Sequence, residues 1–330
     1  MKRRHETEKE TQVNKRISLC GSLSPFVKNL LVLTPLPVEL IKLIQQYLPV
    51  YAFGTIEKEG RYHFMVWEQN EAKWTSLFDV PNNVLGFSTT LIHDQYVVIA
   101  PHRIKESGLQ YTCDLSVPCQ QKKLSGAFSQ YGHDITNYDD KICEIAMNLT
   151  TSETTLFTYS ALNLPRTLSL YTVPMPRLYA SIIVHDHYLY LFGGRRYVNG
   201  KHRYVSVCER FDLIHKTWAT ISDIPTVRSS AKSVIWNYDT IAVMGGIRKE
   251  IEKNLAYPIS NELEKKLDIV ELYHVPSDKW LVCDWKLPIP MTIHWAQYIW
   301  YTEQLMIVPD NTCDIYILNN KKEWTLIKHL

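Results

Sequence analysis

The sequence predicts an all-β chain folded as a six-bladed β-propeller, preceded by a short helical segment and a charged tail. Three observations carry this expectation. An apolar strand ends in two glycines twice, in "LYLFGG" (189–194) and "IAVMGG" (241–246), 52 residues apart. Each pair is followed by a polar loop and a hairpin that closes on Trp, "VCERFDLIHKTWATI" and "IVELYHVPSDKWLVC". That hairpin recurs along the chain at intervals near 50, the signature of a repeat architecture rather than of a local accident.

The first element is residues 1–16, "MKRRHETEKETQVNKR", with six Lys/Arg and three Glu. With so little apolar surface it is expected to be a disordered tail. Lys2, Arg3 and Arg4 offer a basic signal, so a cytoplasmic chain with a nuclear option is expected. Residues 17–49 form the second element. Within "LTPLPVELIKLIQQYLP", Leu36, Leu40, Leu43, Ile44, Tyr47 and Leu48 recur at helical spacing, an apolar stripe along one helix face. Pro37 suits a first helical turn and Pro49 an end. A competing alignment runs without gaps: "LIKLIQQYLPVYAFG" matches "YASIIVHDHYLYLFG". It would make residues 40–46 the first strand of blade one, although Leu40, Ile41, Leu43 and Ile44 do not fall on one strand face. A helix that docks on the propeller is the third reading.

The third element, residues 50–330, is the repeat. Hairpins like the two above occur at "FMVWEQNEAKWTSLF" and "CDIYILNNKKEWTLI", and in weaker form at "TCDLSVPCQQKKLSG" and "LFTYSALNLPRTLSL". The key positions are Trp74, Leu124, Leu168, Trp218, Trp280 and Trp324. A strand, a polar turn and a second apolar strand precede each hairpin, giving four strands per unit. One such sheet cannot bury both faces, whereas radial stacking buries them against neighbours. Trp at a fixed place per unit is expected to act as a wedge between adjacent blades.

Bulk properties bound the function. The net charge of +2 offers no field for nucleic acid or membrane. The mixed-charge start is not that of a secretion signal, and no run of 18 or more apolar residues is present. The seven cysteines lack a CxxC pair and read as reduced core residues, Cys113 and Cys119 pairing only in an oxidising compartment. His185 and His187 flank Asp186, short of the three or four ligands that zinc needs. No cofactor and no catalytic constellation is expected. The connections after the second strands carry the charge: "PHRIKESG" with Arg103, "GGRRYVNGKHRYV" with Arg195, Arg196 and Arg203, and the long "GGIRKEIEKNLAYPISNELEKKLD" with Arg248. In a closed ring these positions share one mouth, where guanidinium groups would hold an acidic or phosphorylated peptide bidentately. Arg177 and Arg228, 51 apart, each precede a first strand and read as structural donors to a neighbouring blade.

The unit "MPRLYASIIVHDHYLYLFGGRRYVNG" with Phe211 and Trp218, and its copy "TVRSSAKSVIWNYDTIAVMGG", resemble the kelch repeat. The resemblance implies a propeller that recognises protein partners and is not an enzyme. One secreted class of kelch propeller, the copper-radical oxidases, supplies an enzymatic alternative. The stretch 33–49 resembles the opening of an F-box, with Leu36 and Pro37, then Leu40, Ile44 and Leu48 as docking positions, but without the later helices of that motif. It implies a truncated F-box of the kind found in large DNA viruses. The chain would then be a substrate-recognition adaptor of a cullin-type ubiquitin ligase, binding the ligase's linker subunit, in the host cytoplasm if viral. A kelch scaffold unrelated to ubiquitin is the alternative.

Overall fold

The computed structural model describes residues 50–328, apart from connections between strands of which 251–262 is the longest. It is a six-bladed, all-β propeller; the only helix among the described residues is the 3-10 turn Val275–Ser277. The tail and the segment 17–49, with Leu36, Pro37, Leu40, Ile44 and Leu48, lie outside the described residues.

Blade four shows the plan. Its strands Ser181–His185, Tyr188–Phe192, Cys208–Asp212 and Trp218–Ile221 pair antiparallel in that order. Blade five repeats it with Lys232–Asn237, Thr240–Met244, Val270–His274 and Lys279–Val282. Blades two (86–125), three (131–172) and six (293–327) are also four-stranded meanders. Blade one has three strands among the described residues, Tyr51–Lys58, Arg61–Glu68 and Lys73–Val80. They correspond to the second, third and fourth strands of the other blades. Tyr51–Lys58 pairs with Arg61–Glu68 along one edge, and where an inner strand would lie the first strands of blades six and two approach one another.

The burial pattern explains the closure. All five residues of Thr240–Met244 are buried, as are Leu189 to Phe192. A strand covered on both faces reads as a continuous apolar run, and here each blade supplies one face of its neighbour's core. Between blades four and five, Phe192 meets Tyr273 and Trp280 edge-on. Between blades six and one, Phe53 meets Trp295 at 4.7 Å.

The repeated Trp residues are equivalent, each at the start of the last strand of its blade, opposite Trp67, Phe211, Tyr273 and Leu318 in turn. They do not act as wedges driven fully between blades. Trp74, Trp218, Trp280 and Trp324 are half-buried, because the fourth strand is the outermost. Trp280 instead donates its indole N–H to the Ser222 carbonyl, and Trp324 to that of Lys286, both 2.8 Å. Each clamps the segment that enters its own blade. Two residues before each Trp, Ala72, Lys216, Asp278 and Lys322 take positive φ, so a left-handed residue recurs at the same place before the last strand whatever the side chain. Trp280→Phe keeps the ring and loses the bond, so chemical denaturation should register a loss of about 1 kcal/mol.

Candidate functional site

Antiparallel order sorts the connections. Those joining first to second and third to fourth strands emerge on one face of the ring. Those joining second to third strands, with the segments between blades, emerge on the other. The glycine pairs belong to this second face. Gly193, Gly194, Gly245 and Gly246 have φ of 57°, 104°, 61° and 94°, which an L side chain adopts only at a cost. Space is as restrictive: a Cβ on Gly193 would sit 2.6 Å from the Arg228 carbonyl oxygen, and one on Gly245 2.5 Å from that of Met291. The next blade's entering segment passes directly over the pair. Gly194 N–H donates to Arg228 O at 2.8 Å and Gly246 N–H to Met291 O at 3.0 Å.

Past each pair the chain leaves the blade as a separate hairpin, Arg195–Val198 with Lys201–Tyr204 in blade four and Ile247–Glu250 with Leu263–Lys266 in blade five. Each hairpin is gripped by its own blade's lead-in, Leu178 bridging Arg195 and Ser229 bridging Ile247. Arg195 is therefore equivalent to Ile247, and Arg196 to Arg248. Arg196 stands directly opposite Arg203, and Arg248 directly opposite Lys265. Like charges so placed repel across the strand pair.

Arg195 has another role. Its guanidinium lies 4.4 Å from the centre of the Tyr179 ring and donates to Glu264 at 3.1 Å, and Glu264 also accepts from the Tyr204 hydroxyl. Glu264 belongs to the blade-five hairpin, so this contact ties the two hairpins together on one face. Arg196, Arg203 and Arg248 share that face; Arg103 lies outside the described residues.

Under the hairpins sit two buried ion pairs, Arg177 with Glu209 and Arg228 with Glu271. Each Arg holds the third strand of its own blade, rather than a neighbour's loop as the sequence suggests. Arg177 also donates to Val207 O at 2.6 Å, and Arg228 to Gly245 O and Ile269 O, both 3.1 Å. Burial lowers the pKa of both arginines, opposed by their glutamates, and Arg196 and Arg248 lower them further. Burial likewise raises both glutamates, opposed by their arginines. Arg196 and Arg248 thus stand close to the buried pairs, each of which is net neutral, so the rim cations carry the positive charge of this face.

Sequence reasoning passed over Glu209, Glu271 and Glu264. The first two had a signal, a carboxylate at the same place in two apolar strands, "CERF" and "VELY". Among the described residues no group of three or more His, Cys, Asp or Glu is placed to hold a metal. Cys113, Cys143, Cys208, Cys283 and Cys313 are free thiols, burial pushing that of Cys143 up to about 12. Among the described residues no helix is long and apolar enough to cross a membrane.

Residues 176–225, which span blade four and its Arg177 lead-in, match the family model of the Kelch motif. No curated protein matches the sequence. One blade of the six thus matches the Kelch motif, and a second repeats its glycine pair, buried Arg–Glu pair and Trp, which supports a kelch-like propeller.

Proposed function

We propose that this propeller is a protein-recognition module whose hairpin face, over blades four and five, receives an acidic or phosphorylated segment of a partner. The observation that carries the reading is the opposition of Arg196 to Arg203 across the blade-four hairpin. Opposed cations are unfavourable in the free strand pair and become favourable around an anion. Guanidinium forks match carboxylate and phosphate oxygens bidentately. Arg195 positions the two hairpins through Glu264 and is a support rather than a receptor.

The finer reading is a substrate adaptor of a cullin-type ubiquitin ligase, with the partner held at the hairpin face and residues 36–48 docking the linker subunit. Its support is the F-box-like run from Leu36 and Pro37 to Leu48. The test is a pull-down of the purified linker subunit by the full chain, repeated with Leu40→Asp and Ile44→Asp together. The adaptor reading expects capture by the native chain, loss with the double variant, and an unchanged melting transition. Loss of the melting transition itself would instead assign residues 40–46 to the inner strand of blade one. Absence of capture by the native chain leaves a kelch scaffold without a ligase.

A further inference from the structure

Between blades five and six lies an aromatic cluster that the hairpin site does not use. Trp236 lies near the end of the first strand of blade five, and Tyr298 near the end of the first strand of blade six (Ile293–Ile299). Trp285 lies in the segment between those blades. Their rings converge: Trp236 is 5.3 Å from Trp285 and 4.8 Å from Tyr298, and Trp324 stands 6.4 Å beyond Trp285. All four are half-buried. Into this cluster the last hairpin turn inserts Lys322, whose ammonium lies 4.4 Å from the centre of the Trp236 ring and 5.3 Å from that of Trp285.

The Lys322 ammonium makes no ion pair and no hydrogen bond among the described residues, although the residue is exposed. The equivalent Lys216 in blade four also lies over an aromatic ring, that of Tyr171, but it donates to the Leu213 carbonyl as well. Lys216 is therefore a structural tie. Lys322 is a solvent-exposed ammonium whose contacts among the described residues are the two ring faces, with the Glu303 carboxylate near Tyr298. A primary ammonium is strongly hydrated and gives up hydrogen bonds to enter such a place, whereas an alkylated one is weakly hydrated and suits it better; clusters of this composition bind quaternary ammonium groups.

We infer that Trp236, Trp285 and Tyr298 form a binding site for an alkylated ammonium group, of the kind a trimethyl-lysine side chain presents on a protein partner, and that Lys322 is a tethered occupant which such a ligand displaces. The tether raises the threshold for every ligand alike, so that only one of higher intrinsic affinity than lysine binds at accessible concentration. A side chain on its own turn competes at an effective concentration on the order of millimolar, which an unmodified lysine of equal intrinsic affinity does not overcome.

The experiment titrates N-acetyl-trimethyl-lysine amide into the full chain and follows the indole N–H signals of Trp236 and Trp285 by NMR. Saturable shifts are expected. Lys322→Ala should tighten binding about tenfold by removing the competitor, and Trp236→Leu should abolish it. Should Trp236→Leu not fold, Tyr298→Leu should weaken binding at least several-fold. The inference is overturned if neither the native chain nor Lys322→Ala shows a saturable shift, or if unmodified N-acetyl-lysine amide binds as well to Lys322→Ala. Phosphocholine binding more tightly than the trimethyl-lysine probe would overturn the protein assignment in favour of a lipid headgroup.

Discussion

Arg228→Met is expected to lower the free energy of unfolding by about 3–5 kcal/mol, because it strands Glu271 as a buried, uncompensated charge. Glu271 is fully buried and its carboxylate faces the Arg228 guanidinium. Methionine also abandons the carbonyls of Gly245, Ile269 and Thr226 that the guanidinium serves. The sign of the pH dependence follows from the direction of the Glu271 shift. Burial already raises its pKa and Arg228 opposes that rise, so removal of Arg228 raises it further. A carboxyl whose folded pKa exceeds its unfolded value favours folding when protonated, and that contribution is lost as pH rises through the folded pKa. The defect should therefore be larger at about pH 8 than at about pH 5. Arg228→Met with Glu271→Leu should recover part of the loss, and Arg177→Met should behave alike in blade four. Equilibrium urea unfolding at both pH values reads all of this. A defect under 1 kcal/mol, or one that grows on acidification, contradicts the buried-pair account.

Gly245→Ala should destabilise the ring by about 3 kcal/mol or more. The left-handed backbone alone costs an alanine roughly 1–2 kcal/mol. The larger part comes from the Met291 carbonyl oxygen 2.5 Å from the new Cβ. Backbone cannot swing aside as a flexible side chain does, so the lead-in to blade six must move and its bond to Gly246 N–H must lengthen. Gly193→Ala meets the Arg228 carbonyl in the same way. Thermal unfolding of the two variants is the check. A melting temperature unchanged from the native chain would mean that the glycines serve the hairpins and not the joint between blades.

These two effects explain what could be read in advance. Glycine pairs, alternating apolar strands and Trp at fixed intervals each answer to a local rule, so six blades and their strand order were legible. Even so, Trp was assigned too deep a place: the repeat reveals that a large apolar residue recurs, but not that its strand is the outermost. The supporting contacts of Arg195 were not legible for a related reason. Its partners, Tyr179 and Glu264, come from the lead-in and from a hairpin 69 residues away, and no spacing rule links a cation to a carboxylate in the next blade. Arg196 differs because its neighbour Arg203 sits across a short hairpin, seven residues along the chain, in the register that pairs Arg195 with Tyr204. The pairing of Arg177 with Glu209 lay between these cases, visible as two unexplained charges in each of two repeats but without a rule that joined them.

The recognition claim is tested most directly by the binding of the full chain to an array of acidic, phosphorylated and neutral peptides, repeated with Arg196→Ala and Arg203→Ala together. The account predicts binding confined to the acidic and phosphorylated peptides, weakened by salt. The double variant should reduce it about a hundredfold, at ~1.4 kcal/mol per tenfold, if two charge-assisted contacts are lost. Lys279→Ala with Lys321→Ala, on the opposite face, should leave it unchanged. Equal losses from both pairs of substitutions, or equal binding of neutral peptides, would contradict a site at the hairpin face.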